Sequence, residues 1–470
     1  MTNKNSIYQW IDKQESFLVD MAKRIWEKPE AGLEEKFATT LQVNVLKEAG
    51  FKIKENIGGM PTAFVAEYGN GNPILGILGE YDALPGLSQK IISKQEPVHE
   101  GDPGHGCGHN LLGTAGIGAV LAIKKLIDEN KIKGTIRYYG CPAEETLVGK
   151  VFMARDGVFD DLDSCLTWHP GRLNQVWASS SLAMNSISFI FRGKAAHAAA
   201  QPDMGRSALD AVELMDIGAN YLREHISDSA RIHYSITNGG GEPNIVPDKA
   251  SVWYYIRAPK RAEVEEITER IKKIAEGATL MTETTVDWTF LSACYEVLPN
   301  DILGDVIFKN MKAIQPPKFS KEDHDLAQQL EKTFLKGQKE KINQKVPSAI
   351  LKHVLHEDVV ETYDNDSVLA GSTDVGDVSQ ITPTAQFNTA TWPIGTAGHS
   401  WQATVASGSE IGYKAMLYAT KILAGSMVDL YLNEKIIQDA KKEFIQKTEG
   451  NKYIFPLPED AKPPFDQFKH

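Results

Sequence analysis

Residues 104–126 read Gly-His-Gly-Cys-Gly-His-Asn-Leu-Leu-Gly-Thr-Ala-Gly-Ile-Gly-Ala-Val-Leu-Ala-Ile-Lys-Lys-Leu. His105, Cys107 and His109 fall within five residues on a backbone loosened by three glycines. From Asn110 onward, Leu111, Ala115, Ile117, Val120, Ile123 and Leu126 recur with helical spacing. A loop entering a helix N-terminus favours anions and thiolates. Imidazole nitrogen and thiolate sulfur are donors that hold divalent transition metals, and a loop with little side-chain bulk lets several converge on one ion. Taken alone, the stretch reads equally as a tight turn with satisfied side chains or as a metal loop.

The neighbouring stretches carry similar chemistry. Gly140-Cys141-Pro142-Ala143-Glu144-Glu145-Thr146 stands directly behind 135–139, whose β-branched and aromatic content reads as a strand. Two adjacent carboxylates repel, which raises one pKa unless a cation compensates, so the pair suits one metal-binding carboxylate beside one proton shuttle. Such a pair is more usually the solvated first turn of a helix, and without its context that reading would win. Trp168-His169-Pro170 follows a strand-like run at 164–167, and Gly398-His399-Ser400-Trp401 precedes a helix. Four of the twelve histidines (His105, His109, His169, His399) thus lie in Gly/Pro-punctuated segments at strand-to-helix transitions, where open α/β sheets assemble their sites.

Further outward, helical patterns over 8–26 and 35–49 alternate with strands at 63–68 and 73–79, which is α/β alternation. From about 182 the order becomes strand (185–191), helix (207–223), strand (231–237), strand (250–256), helix (262–274), strand (285–291), the βαββαβ of a ferredoxin-like unit. Helical periodicity returns after Pro299, and the segment with His399 must rejoin the first domain to meet the other donors. The reading is a catalytic domain of residues 1–181 and 297–470 with an inserted α+β lid or dimerisation domain of residues 182–296. The Pro-rich stretch 455–465 reads as a surface tail or arm.

A chain of 470 residues is too long for one ordinary core. Hydrophobic residues at 42% and charged residues at 24% are ordinary globular usage. The formal net charge of −12, with no Lys/Arg stripe to offset it, argues against a nucleic-acid surface, so an anionic substrate has to be drawn by local cations. No apolar signal core opens the chain and no 18 apolar residues run together, which predicts a cytosolic chain and no membrane span. Cys107, Cys141, Cys165 and Cys294 are sparse and spread out, as suits a reducing compartment. Cys107 is assigned to chemistry, Cys141 and Cys165 to small buried positions.

In order along the chain stand Asp82-Ala83-Leu84-Pro85, Cys107-Gly108-His109, Pro142-Ala143-Glu144-Glu145, His169 and His399. This series resembles the aminoacylase/carboxypeptidase family of dinuclear metallopeptidases, in its amidohydrolase branch. Residues 79–86 and 104–110 are similar to the versions in the p-aminobenzoyl-glutamate hydrolase B-subunit subfamily. The resemblance spans nearly the whole chain. Asn110 departs from it, because most of that branch has Asp there and so a carboxylate partner near the metal.

The resemblance implies an α/β catalytic domain with a central mixed sheet flanked by helices. It implies two divalent ions per chain, Mn2+ favoured and Zn2+ next, held by Cys107, His109, Glu145, His169 and His399. Glu144 is the proton shuttle, and Asp82, with Glu80 beside it, orients a ligand. Gly193 to Pro202 matches the family's lid motif, whose His197 reaches into the site of a dimer partner, where an imidazolium stabilises an oxyanion. Asn244 and Arg257 would hold the substrate's carbonyl and carboxylate. By spacing alone Arg257 is a solvated strand-end charge, and the resemblance reverses that reading.

The implied activity is hydrolysis of the amide of p-aminobenzoyl-glutamate or a similar N-acyl amino acid. The alternative is a dipeptidase or N-acyl-amino-acid hydrolase on the same machinery. A non-catalytic subunit on this scaffold is a third reading, against which the retention of Glu144 and every ligand position argues. A homodimer through the lid, or a hetero-oligomer with a related subunit, is implied as the assembly.

Overall fold

The computed structural model describes residues 3–342, 346–361 and 367–466. The first helical stretch is two helices, α1 (Asn3–Lys13) and α2 (Glu15–Glu27), broken at Gln14, which corrects the single helix expected over 8–26. Both halves bury one face, Ile7 and Ile11 on α1, Leu18, Met21, Ala22 and Ile25 on α2. A bend redirects the axis without interrupting such a pattern, so periodicity could not reveal it.

There follow α3 (Lys36–Glu48), β1 (Lys52–Glu55), β2 (Phe64–Asn70), β3 (Ile74–Glu80), α4 (His109–Asp128), β4 (Gly134–Cys141), α5 (Gly149–Arg155), β5 (Ser164–Gly171) and β6 (Gln175–Trp177). Next come β7 (Ala183–Arg192), α6 (Ala208–Leu222), β8 (Arg231–Asn238), β9 (Lys249–Ala258), α7 (Arg261–Thr282) and β10 (Thr285–Cys294). The chain continues through α8 (Asp301–Ile314), α9 (Lys321–Glu331), α10 (Gln338–Ile342), α11 (Val375–Ser379), β11 (Thr384–Ala390), α12 (Trp401–Ser407), α13 (Glu410–Leu432) and α14 (Glu434–Lys447).

Among the described residues the larger sheet has seven strands in the order β1-β2-β4-β3-β5-β11-β6. Its centre is parallel (β4, β3, β5, β11) and its margins antiparallel, so it is a mixed sheet flanked by helices. β3 (ILGILGE) is apolar on both faces and almost wholly buried, as a central parallel strand requires. β11 comes from the C-terminal third and inserts between β5 and β6, which returns that part of the chain to the first sheet.

The core helix α4 is long and apolar enough to cross a membrane by length and composition, but it is packed inside the protein. Leu111, Ile117, Val120 and Ile123 are completely buried against the sheet and α13. Truncating any one of the larger of these to Ala costs about 2–5 kcal/mol.

The smaller sheet runs β10-β7-β9-β8, antiparallel throughout, with α6 and α7 on one face. β9 alternates strictly: Ala250, Val252, Tyr254, Ile256 and Ala258 are buried under the helices, while Ser251, Trp253, Tyr255 and Arg257 take the other face.

The stretch 455–465 is not a free arm. Leu457 is buried, Phe455 packs on Phe152, Arg155 Nη1 donates to the Ala461 carbonyl at 2.8 Å, and Arg261 Nη2 donates to that of Pro456 at 3.3 Å. Proline suits an extended strap whose own N–H groups need no sheet partner, which composition alone reads as a tail.

Candidate metal centre

The parallel strands β3, β4 and β5 end at the same edge of the sheet, with Glu80 opposite Cys141 in register, so Glu80, the Glu144–Glu145 turn and His169 emerge together. The loop of 104–108 is pinned by reciprocal backbone bonds between Leu84 and Gly104 at 3.0 and 2.9 Å. Gly108 sits at φ +80° in contact with Pro170, where a Cβ would come within 2.8 Å of the proline ring. Only glycine delivers His109 to the first position of α4 this way. The late loop docks on the early one through His399 N–H to the Gly106 carbonyl at 3.1 Å.

The carboxylate turn is held in unusual backbone. Ala143 and Leu147 flank it at φ +52° and +58°, left-handed values that cost a non-glycine residue roughly 1–3 kcal/mol each. Glu35, fully buried, accepts from Ala143 N–H at 2.8 Å. Gly149 ends the turn where a Cβ would lie 1.8 Å from the Pro142 carbonyl oxygen.

The structure gathers Cys107, His109, Glu145, His169 and His399 at this edge. Their donor atoms fall into two groups, Cys107/His109/His169 and Cys107/Glu145/His399, within each of which all atoms lie inside 4.8 Å of one another. Cys107 Sγ is 3.2 Å from His169 Nε2, and Glu145 Oε2 is 3.2 Å from His399 Nε2. A third group, Glu80/His109/Glu144, shares His109.

Several of these atoms are buried with no hydrogen-bond partner: Glu80 Oε2, His109 Nε2 and Glu145 Oε1. His109 Nε2 stands 3.3 Å from Glu80 Oε2 in a geometry that makes no hydrogen bond. Buried polar atoms left unmet cost about 1–3 kcal/mol each. A set of thiol, imidazole and carboxylate donors converging with unfilled lone pairs therefore fits divalent metal ions.

Asp82, wholly buried, bonds His109 Nδ1 at 2.8 Å through Oδ1 and accepts from Glu145 N–H at 2.9 Å through Oδ2. A proton on Nδ1 leaves the Nε2 lone pair free for a metal.

Sequence reasoning missed Lys150 and Asp374. Lys150 Nζ, completely buried, is 2.6 Å from Glu80 Oε1 and 2.6 Å from Asp374 Oδ1. A lone Lys inside the otherwise apolar run 147–154, close behind an acidic pair, was the available signal. Its distant partner, Asp374, had none.

Of the other residues singled out, His105 lies buried with Nε2 3.2 Å from the Ile25 carbonyl, outside the donor groups. Asn110 Nδ2 donates to the carbonyls of Ala22 and Ser407 at 3.3 and 3.1 Å, tying α4 to the neighbouring chain segments. A carboxylate could not donate there. All four cysteines are free and buried.

Burial, with the charges of Glu80 and Glu145 added, raises Glu144 well above the carboxylate range. Burial likewise raises Cys107, and the Glu145 charge adds to it. Burial disfavours the charged form of His109, but Cys107 and Asp82 outweigh it and hold its pKa high. A bound cation would pull the thiol and carboxyls back down.

A cavity of about 850 Å³ opens on the donor edge, lined there by Cys107, Glu144, Glu145, His169 and His399. Arg257 lines it from the smaller sheet, its guanidinium 5.0 Å from the Tyr255 ring and its Nε without a hydrogen bond. His197 and Asn244 are exposed and do not line it. Their backbone segments pair, with His197 bridged to Ile245 and Ala198 N–H donating to the Asn244 carbonyl at 2.9 Å.

Comparison with known proteins agrees with this architecture. Residues 179–280 match the M20 family's peptidase dimerisation domain. The chain is 41% identical to the B subunit of p-aminobenzoyl-glutamate hydrolase from Escherichia coli (strain K12), over 97% of this chain and 98% of that protein. It is 29% identical to the Xaa-Arg dipeptidase of Mus musculus, over 92% of this chain and 90% of the other. A solved dinuclear metal-binding peptidase of the M20 family from Bacillus subtilis superposes with a TM-score of 0.52 at 17% identity, covering 87% of this chain and 98% of its own.

Proposed function

This chain belongs to the M20 peptidase family, and on that premise we propose that it hydrolyses the amide of p-aminobenzoyl-glutamate or a closely similar N-acyl amino acid. The observation that carries the reading is the pair of three-donor groups sharing the Cys107 thiol, with Glu144 at their side. Cys107, His109 and His169 would hold one divalent ion and Cys107, Glu145 and His399 a second, manganese first and zinc next. Bound there, such ions supply an acidified water and an electrophile for the scissile carbonyl.

The chain's own groups do the rest. Glu144 takes a proton from the attacking water and returns it to the departing amine nitrogen. Asp82 keeps His109 in the tautomer that leaves Nε2 available. Arg257 pairs with the substrate's carboxylate, an interaction favoured by its unmet Nε and its place on the cavity wall. His197 and Asn244, exposed on the lid, serve the site of a second protomer in a homodimer built through the dimerisation domain. The name of the 41% identical relative supports a hetero-oligomer with a related subunit as the second arrangement. Four free thiols support a reducing, cytoplasmic setting.

The deciding experiment is a substrate panel of p-aminobenzoyl-glutamate, acyl amino acids and dipeptides, assayed after chelation and after refilling with manganese or zinc. Turnover of p-aminobenzoyl-glutamate that vanishes on chelation and returns on refilling is expected. Equal turnover before and after complete chelation would sink the metal-dependent reading, and preference for dipeptides would transfer it to the Xaa-Arg type.

A further inference from the structure

The edge of the large sheet beyond His169 carries a polar surface that the proposed mechanism does not use. In register across β5, β11 and β6, His169 stands beside Asn388 and Asn388 beside Gln175. Two residues earlier on β11, Thr167 stands beside Gln386 and Gln386 beside Trp177. Paired residues of adjacent strands project to one face, so these six side chains form two rows, and all six line the cavity. The His169 ring meets the Trp177 indole edge-on at 6.2 Å, which joins the surface to the donor cluster.

Three of these side chains, Gln175, Trp177 and Gln386, keep hydrogen-bonding capacity unspent. Gln386 is 4% exposed and its Nε2 has no partner, and Trp177 Nε1 and Gln175 Oε1 are likewise buried without one. Asn388 differs, since its Nδ2 donates to the His169 carbonyl at 3.0 Å. Buried donors are met in the great majority of folded proteins, so adjacent unmet donors on a cavity wall mark a place where a ligand supplies the acceptors.

The charge around them points to the ligand's sign. The carboxylates lining the cavity, Glu80, Glu144 and Glu145, belong to the donor groups, whereas Arg172, Arg257 and Lys341 line it outside them. Away from the metal donors the cavity therefore offers N–H groups and cations to an anion, in a chain of net charge −12.

We propose that Gln175, Trp177 and Gln386 form the subsite that selects an acidic side chain on the amino-acid half of the substrate. Trp177 Nε1–H and the Gln386 amide donate to its carboxylate. Gln175, whose amide can present either end, completes the contact. The subsite rests on the amide-hydrolase reading above for its substrate. Arg257 is there assigned to the carboxylate common to all amino acids, and this surface distinguishes among side chains. The three residues are specificity determinants and take no part in proton transfer.

The test pairs binding with turnover. Free glutamate and norleucine, similar in length and differing in the terminal carboxylate, are titrated calorimetrically into manganese-loaded wild-type protein, Trp177→Phe, Gln386→Leu and Gln386→Glu. Hydrolysis of p-aminobenzoyl-glutamate and p-aminobenzoyl-norleucine is followed in parallel, with metal content and melting temperature as controls. Glutamate is expected to bind wild type about tenfold or more tighter than norleucine, as a hydrogen bond to a charged group predicts. That ratio should fall about tenfold in Trp177→Phe and Gln386→Leu, and invert in Gln386→Glu.

Equal affinity of wild type for both amino acids overturns the subsite whatever the variants do, as does an unchanged ratio in folded variants. Binding that discriminates without cleavage of either amide overturns the hydrolase reading and leaves the subsite standing. Cleavage of both amides at equal kcat/KM does the reverse.

Discussion

Asp82 holds His109 from behind, its Oδ1 2.8 Å from the ring Nδ1 and its Oδ2 receiving the Glu145 N–H at 2.9 Å. One carboxylate therefore aligns two donor residues, one from each of the Cys107-sharing three-donor groups, and their mutual position depends on it. Asp82→Ala is expected to weaken metal binding about 10–100-fold, measured by competition against a chelator of known affinity. Unchanged affinity would mean the packing of α4 alone orients His109.

Glu144→Gln removes the carboxylate proposed as proton carrier and keeps the shape of the side chain. kcat should fall about 10²–10⁴-fold while bound metal per chain stays at the wild-type level. An active variant would eliminate Glu144 as the shuttle, and loss of metal would move it into the ligand set with Glu80.

Lys150 lies in a buried ionic cluster with Glu80 and Asp374, 2.6 Å from each. Removing one member of such a cluster leaves uncompensated charge, so Lys150→Met should lower unfolding free energy by about 3–5 kcal/mol in denaturant titrations. Adding Asp374→Asn should recover part of the loss, because the two changes share one network. Strict additivity in the double variant would show that the pair is uncoupled.

Asp377 is raised from 3.8 to about 7, chiefly by burial, against the lowering effect of the Tyr453 hydroxyl bond at 2.9 Å. An acid whose folded-state pKa is raised binds its proton more tightly folded than unfolded. Its contribution is thus complete below its unfolded value and is lost as pH rises through about 7. Asp377→Asn can accept from Tyr295 N–H and donate to Tyr453 Oη, and should lack this loss, which for one proton reaches at most about 1.4 kcal/mol per pH unit. Denaturant melts of both proteins at about pH 4, 5.5 and 7 test it, and parallel curves would refute it.

His197 stands exposed on the dimerisation domain and does not line the cavity of its own chain. Inactive His197→Ala protein, reassembled with inactive Glu144→Ala protein, should regain part of the activity if the imidazole acts across a dimer. Verified heterodimers with no recovery would end that assignment.

The parts of the site legible in sequence were those built by local turns. Gly104 to His109, Pro142 to Glu145 and Gly398-His399 carry their own geometry, since glycine at positions such as Gly108 (φ +80°) and short polar turns specify how donors leave a strand end. The period-2 alternation of β9 and the order of strands and helices over 183–294 were legible for the same reason. The break at Gln14 was hidden because α1 and α2 bury one continuous apolar stripe. The packed course of 455–465 was hidden because its partners, Phe152, Arg155 and Arg261, lie far away in the chain.

By itself the sequence determined which donor types exist, that they leave strand ends, and the alternation that makes an α/β body with a second βαββαβ unit. Tertiary structure alone decided that Lys150 meets Asp374 across 224 residues, that β11 enters between β5 and β6, and hence that Gln386 stands beside Trp177. Periodicity and turn chemistry act over a few residues and leave a trace in order and spacing. Which side chains meet across a sheet is settled by register and by the closing of long loops, and neither is written in any short stretch of chain.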